Sequence, residues 1–379
     1  MRVGFLFNHY FTHQVPQAVP CAFELSRKYP DIDVVIACSS EQELAFVQII
    51  AALYPDQRCE IRLLPVPLYY RLIDPLVSKW SFGRKGVVLR HNLSFFQGLD
   101  VLVSPERNCL QLRNRFGLKD LLMIHIRHGA GDREGGFDAK SGAFDLTLLP
   151  GQKYVDRLKE LGLMLHERYA VIGWPKFEVI QRLKREIPRF FSNDKPIVVY
   201  NPHFDQSVSS WQTMGLDVLD FFADNNNYNL IFAPHVVLFK RSWRHKSFLH
   251  EKYFSIPNIH IDIGSSASID MSYMLAADIY LGDVSSQVYE FLINPRPCIF
   301  LNGTKVNNWQ DNPFYLHWQL GQVINDVQSE LDHALDRAFE THPHFLKQQQ
   351  EAFNYTFYSP PHTSAAERGA DAIAGFLKD

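Results

Sequence analysis

Residues 280–302 read YLGDVSSQVYEFLINPRPCIFLN, and the reading of this stretch decides the fold. Residues 279–282 are a short apolar run of the kind found in buried strands. Val288, Phe291 and Leu292 then recur at helical spacing, and residues 298–301 form the next apolar run. Ser285 and Ser286 fall where that helix begins, among free backbone N–H groups and the positive end of a dipole. Such a place holds a phosphate or is an ordinary serine cap. The surrounding sequence has to separate the two.

Working outward, the same alternation of short apolar runs and amphipathic stretches fills the chain. Residues 3–7, 33–37, 61–64, 101–104, 121–125 and 144–148 read as strands of one unit, with helices over 18–28 and 42–53. A second series has strands at 197–200, 230–233, 259–262, 279–282 and 298–301, with helices over 217–225 and 268–277. This pattern predicts α/β architecture: two parallel sheets with crossover helices, as two Rossmann-like domains facing across a cleft. Turn residues Gly173-Trp174-Pro175 mark the boundary, giving domains 1–173 (acceptor side) and 174–340 (donor side). A charged helix over 176–195 leads into the second, and a helical tail over 341–379 packs back on the first.

The 379 residues suffice for two cores, and a net charge of −3 gives no electrostatic case for a nucleic-acid partner. No run reaches the eighteen or so apolar residues of a membrane span. The N-terminal apolar run is short for a signal peptide and reads as the first strand. Five dispersed cysteines without a C-x-x-C pair indicate neither a zinc site nor a disulfide framework. The reading is a cytoplasmic protein. Peripheral contact with the inner face of the membrane is one use for residues 79–85, a solvated loop the other.

Open parallel sheets bind ligands beyond the carboxyl ends of their strands, and five loops place chemistry there. In the first, His128 follows the 121–125 strand, with Arg127, Gly129, Asp132 and Arg133 around it. His128 suits proton abstraction from a hydroxyl, with Asp132 orienting it or pairing with Arg133. A polar loop with a structural histidine is the alternative. His203, Asp205, Ser209 and Ser210 follow the 197–200 strand as a phosphate loop or a capping series. His235 follows Pro234 after the next strand, placed either to offset charge on a leaving group or simply exposed. Residues 264–270 are small and polar before a helix. Asp283, Ser285, Ser286 and Glu290 complete the set, with the serines toward a pyrophosphate and Glu290 either toward a ribose or serving the helix dipole as a first-turn carboxylate.

The order His128-Gly129, Gly173-Trp174-Pro175, Pro234-His235, Asp283-Val284-Ser285-Ser286 with Glu290-Phe291, and Arg296-Pro297 resembles CDP-glycerol glycerophosphotransferases, the teichoic-acid primase and polymerase type of GT-B fold. The resemblance spans about residues 120–302. It implies His128 as catalytic base, His235 on the donor phosphates, Asp283, Ser285 and Ser286 binding the donor, and Glu290 at the ribose. It also implies glycerol phosphate transfer from CDP-glycerol to a hydroxyl of a glycan or polymer acceptor, with release of CMP and no tightly held metal or cofactor. The chain departs from the pattern near His128: Ile126-Arg127 stands where the family has a tryptophan, and the lysine expected soon after is as distant as Lys140. A nucleotide-sugar glycosyltransferase or epimerase-like enzyme uses the same loops, and so does a non-catalytic nucleotide-binding protein. The released product separates the first two; an intact phenotype after His128→Ala would mark the third.

Overall fold

Buried strands that read as unbroken apolar runs, such as VGFLF and VVIAC, belong in parallel sheets covered on both faces. The computed structural model, which describes residues 1–77, 83–132, 137, 139–163, 168–183, 186–239 and 249–378, contains two such sheets.

The first has seven strands: β1 (Arg2–Phe7), β2 (Asp33–Cys38), β3 (Glu60–Leu63), β4 (Val101–Ser104), β5 (Leu122–Ile126), β6 (Leu146–Leu149) and β7 (Tyr169–Val171). Their order is β3-β2-β1-β4-β5-β6-β7 and every pairing is parallel. Phe5, Ile36, Val103 and Ile124 are fully buried between the sheet and helix Val15–Lys28. The second sheet is built from β8 (Ile197–Asn201), β9 (Asn229–Phe232), β10 (Ile259–Ile261), β11 (Ile279–Gly282), β12 (Cys298–Leu301) and β13 (Gln322–Ile324). Its order is β10-β9-β8-β11-β12-β13, again all parallel. Tyr200, Leu230, Leu281 and Ile299 form its core with Trp211 and Phe222 of helix Trp211–Asp224.

Each sheet reverses its strand order once, between β1 and β4 in the first and between β8 and β11 in the second. The carboxyl ends at those two switch points are where an open α/β sheet leaves room for a ligand.

The compact units are Met1–His128 with Phe137–Lys184 and Asn354–Asp379, and Gly129–Gly136 with Arg185–Phe353. The passage after Lys184 lies beyond the expected 173/174, because helix Pro175–Leu183 buries Pro175, Lys176 and Val179 and packs with the first unit. Of the charged helix expected over 176–195, the described part is Pro175–Leu183, and residues 186–195, with Pro188 among them, are not helical. Helix Ala365–Phe376 starts from a Ser364/Glu367 capping box and lies on helix Val15–Lys28, where Lys28 and Tyr29 bond Asp371. Strand β13 and helices Leu68–Val77 and Arg84–His91 are additions to the sequence reading. Among the described residues no helix is long and apolar enough to cross a membrane.

Candidate functional site

In the first unit the ends of β1, β4 and β5 converge on His128. Its Nδ1 lies 2.7 Å from the Pro105 carbonyl oxygen. A carbonyl can only accept, so Nδ1 carries the proton and Nε2 of the neutral ring holds the lone pair. The Gln14 amide nitrogen donates to that Nε2 at 3.2 Å and to Glu106 Oε1 at 2.5 Å. Glu106 also receives Lys85 Nζ at 2.8 Å and lies 3.6 Å from His9 Nε2. Burial lowers the His128 pKa from the ordinary 6.5, against the Glu106 charge and the Pro105 bond, which hold it up. The ring is thus neutral at pH 7 in the tautomer a general base needs.

A cavity of about 510 Å³ opens beside it, lined by His128, Glu106, Arg107, Asn108, Arg115 and Lys140 among others. Lys140, distant from His128 in sequence, reaches the same cavity. Both polar atoms of the Asn108 amide are buried there without a bond inside the protein.

Arg127 is spent differently: its guanidinium lies 4.4 Å from the Phe137 ring centre and 4.5 Å from that of Tyr154. His125, two residues earlier, donates Nδ1–H to the Ser104 carbonyl and is buried against Phe144, so it is a core histidine. Gly173 adopts a φ of +91° where a Cβ would strike the Tyr358 carbonyl, and Trp174 packs on Phe357. That motif is a backbone junction.

The second unit begins at Gly129, immediately after His128, and the two glycines flanking Ala130 differ. A Cβ on Gly129 would meet nothing within 4 Å, whereas one on Gly131 would touch Ser286 at 3.4 Å. Asp132 is buried; Tyr289 donates its hydroxyl to Oδ2 at 2.6 Å and His317 Nδ1 lies 3.0 Å from the same oxygen. His317 Nε2 faces the Asp283 carbonyl at 3.2 Å. The orienting of His128 that the sequence offered to Asp132 is done by the Pro105 carbonyl. Arg133 lies outside the described residues.

At the β8/β11 switch point Asp283 is fully buried and accepts the His203 N–H at 2.9 Å, the Ser210 N–H at 2.6 Å and the Ser210 hydroxyl at 2.8 Å. Burial pushes its carboxyl up to about 7, while those donors pull it down. Asp283 and Ser210 therefore satisfy each other. The Ser209 hydroxyl accepts the Trp211 N–H, and Ser285 donates to Asn201, whose amide is tied to the Ala233 carbonyl. These residues hold the loops after β8, β9 and β11 to one another. Ser286 is half-buried at the start of helix Gln287–Phe291, and Glu290 is buried one turn in. Asp205 closes a turn on Ser207.

His203 and His235 share one geometry. Each Nδ1 accepts the backbone N–H two residues on, from Asp205 at 3.0 Å and from Val237 at 3.2 Å. In the neutral ring the proton is then on Nε2, so both are donors, the reverse of His128. Their ring centres are 5.4 Å apart. Arg296 is structural: it bonds the carbonyls of Met274, Ala277 and Phe291 where two helices end.

Neither a family model nor a curated protein sequence matches the chain. Solved structures do. The wall teichoic acid polymerase TagF, in a variant soaked with CDPG, superposes with a TM-score of 0.62 at 13% identity, covering 100% of this chain and 89% of that one. A structure of S. aureus MnaA with UDP gives 0.61 at 11%, covering 100% and 96%. The UDP-GlcNAc 2-epimerase from Neisseria meningitidis bound to UDP-GlcNAc gives 0.54 at 14%, covering 100% of both. The chain has the two-sheet α/β fold of these structures, the GT-B type. At these identities the likeness is one of fold.

Proposed function

We propose that this protein is a nucleotide-donor transferase that moves glycerol phosphate from CDP-glycerol to a hydroxyl of a glycan or polymer acceptor. The observation that carries the reading is the opposite tautomer setting of its strand-end histidines. His128 has its lone pair on Nε2, where a base needs it; His203 and His235 have a proton there, where an anion-binding group needs it. The acceptor enters the cavity of the first unit, with the Asn108 amide, Arg107, Arg115 and Lys140 to bind it. The donor diphosphate is taken by His203, His235 and the Ser286 turn, and its ribose by Glu290; Asp283, Ser285, Ser209 and Ser210 position those loops. His128 Nε2 removes the acceptor proton, the acceptor oxygen bonds to the glycerol-bearing phosphorus, and the bond from that phosphorus to CMP breaks. CMP departs with the electron pair, its charge met by the imidazole N–H groups. Such a transfer is chiefly positioning and charge stabilisation.

Calorimetry with CDP-glycerol, CMP, UDP and UDP-sugars tests the donor. Cytidine-selective binding is expected, weakened about tenfold or more by His235→Ala, the worth of one charge-assisted hydrogen bond. The UDP-bound structures of the same fold favour a second reading, transfer from or epimerisation of a nucleotide sugar. Selective UDP-sugar binding, with release of UDP, would replace the first reading by that one.

The pH profile tests the base. Because burial holds His128 below 6.5, kcat/KM should stay level down to that pH and fall only below it. Glu106→Gln removes a charge that favours the imidazolium and should move the acid limb lower still. A limb above 6.5 in the wild type would remove His128 as the titrating base.

A further inference from the structure

We infer that His317 and Asp132 are positioning residues for the donor phosphates, a clamp that holds the segment 129–132 against the Ser286 turn. The inference rests on the donor reading above and adds one wall to that site. It starts from a ring with two acceptors. His317 Nδ1 lies 3.0 Å from Asp132 Oδ2, and its Nε2 lies 3.2 Å from the Asp283 carbonyl oxygen. Neither a carboxylate nor a carbonyl can donate, so both ring nitrogens carry protons and His317 is an imidazolium. Its partner calls for that charge. The side chains of His317 and Asp132 are 1% and 2% exposed, and a carboxylate so far from water needs a cation beside it. The Tyr289 hydroxyl and the His317 backbone N–H also donate to Asp132 Oδ2, at 2.6 and 3.3 Å. Phe300 packs edge-on against the imidazole, with 5.5 Å between ring centres.

The two acceptors belong to two stretches of backbone that meet at one place. Asp283 follows β11 and leads through Val284 and Ser285 to Ser286, whereas Asp132 ends a segment that is neither helix nor strand. With two glycines in four residues, that segment has more conformational freedom to lose than an ordinary loop. The bonds from Tyr289 and His317 hold its end, and its middle is set down on the turn. A Cβ on Gly131 would lie 3.4 Å from the N, Cα and Cβ of Ser286. That is contact without overlap, and Gly131 is not among the glycines of positive φ, so the backbone accepts alanine there. What the glycine leaves open is the space beside the Ser286 nitrogen, which a methyl group would take from a phosphate bound on this turn.

Calorimetry of the full chain with CDP and with UDP, beside thermal melts, tests the clamp. Gly131→Ala should melt as the wild type does and bind the preferred nucleotide about tenfold more weakly. His317→Gln keeps an amide donor but not the charge. It should weaken binding by about tenfold as well, with a lower melting temperature because Asp132 is left buried without its cation. Nitrogen NMR of the histidine-labelled chain, with His317 assigned by its absence from His317→Gln, should show both of its ring nitrogens protonated. A pair that serves stability alone would lower the melting temperature of His317→Gln and leave nucleotide affinity where it was. Affinity within about twofold of wild type in Gly131→Ala, or in folded His317→Gln, would overturn the clamp while the donor reading stands. So would an unprotonated Nε2 on His317. Should His317→Gln fail to fold, Gly131→Ala decides alone. A wild type that binds neither nucleotide would remove the donor reading and the clamp together.

Discussion

Replacing His128 by alanine is expected to lower turnover by about 10²–10⁴ while leaving nucleotide binding unchanged, the loss typical of removing a positioned general base. The expectation rests on three features acting together. The Pro105 carbonyl fixes the proton on Nδ1, burial keeps the ring neutral, and the cavity beside it is lined by cations and by an Asn108 amide with no partner inside the protein. Gln14 occupies Nε2 through its amide nitrogen and must yield to an acceptor hydroxyl. Gln14→Ala should therefore affect KM for the acceptor more than the chemical step. Single-turnover release of CMP, with calorimetry of the donor on the same variant, separates the two effects. A fall of less than tenfold for His128→Ala would mean that another group takes the proton.

The strand-end rule made much of the candidate site legible. His128, His203, His235 and Asp283 each lie within three residues of the carboxyl end of a parallel strand, so the alternation of apolar runs was enough to single them out. The same rule applied to β1 and β4 would have found His9 and Glu106 beside His128, whereas Gln14 lies seven residues past β1 in the short helix Thr12–Gln14 and escapes it. Their loops have ordinary sequences, Asn8-His9-Tyr10 and Pro105-Glu106-Arg107, and acquire meaning only because β1 and β4 are spatial neighbours separated by about a hundred residues. The partners of Asp132 were out of reach for a similar reason. His317 sits in the 3-10 segment Pro313–Leu320, follows no strand, and meets Asp132 across the fold of the second unit. Helix Leu68–Val77 was obscured by Pro67 and Pro75 and by an apolar content that, read without tertiary context, suggests a buried segment.

Removing the Asp283 side chain should damage stability and donor binding together. In Asp283→Ala the Ser210 N–H, the Ser210 hydroxyl and the His203 N–H lose their acceptor inside a buried switch point. At about 1 kcal/mol or more for each orphaned donor the cost is about 3 kcal/mol, a loss of about 6–12 °C in the melting of the second unit. His203 and the helix that starts after Ser210 would lose their common anchor, so donor affinity should fall although Asp283 is itself fully buried. The isosteric Asp283→Asn isolates the charge. Burial holds the folded carboxyl at about 7, while an unfolded aspartate titrates near about 3.9. Between those values the folded state retains more protons, so this group's contribution to stability declines as pH rises from about 4 to about 7. Asparagine lacks that slope. The deficit of Asp283→Asn relative to wild type should therefore be larger near pH 5 than near pH 8, as read by denaturant melts at both values. A deficit that widens towards pH 8 would show that the donors from Ser210 and His203 outweigh burial and that the ionised carboxylate is what holds the switch point together.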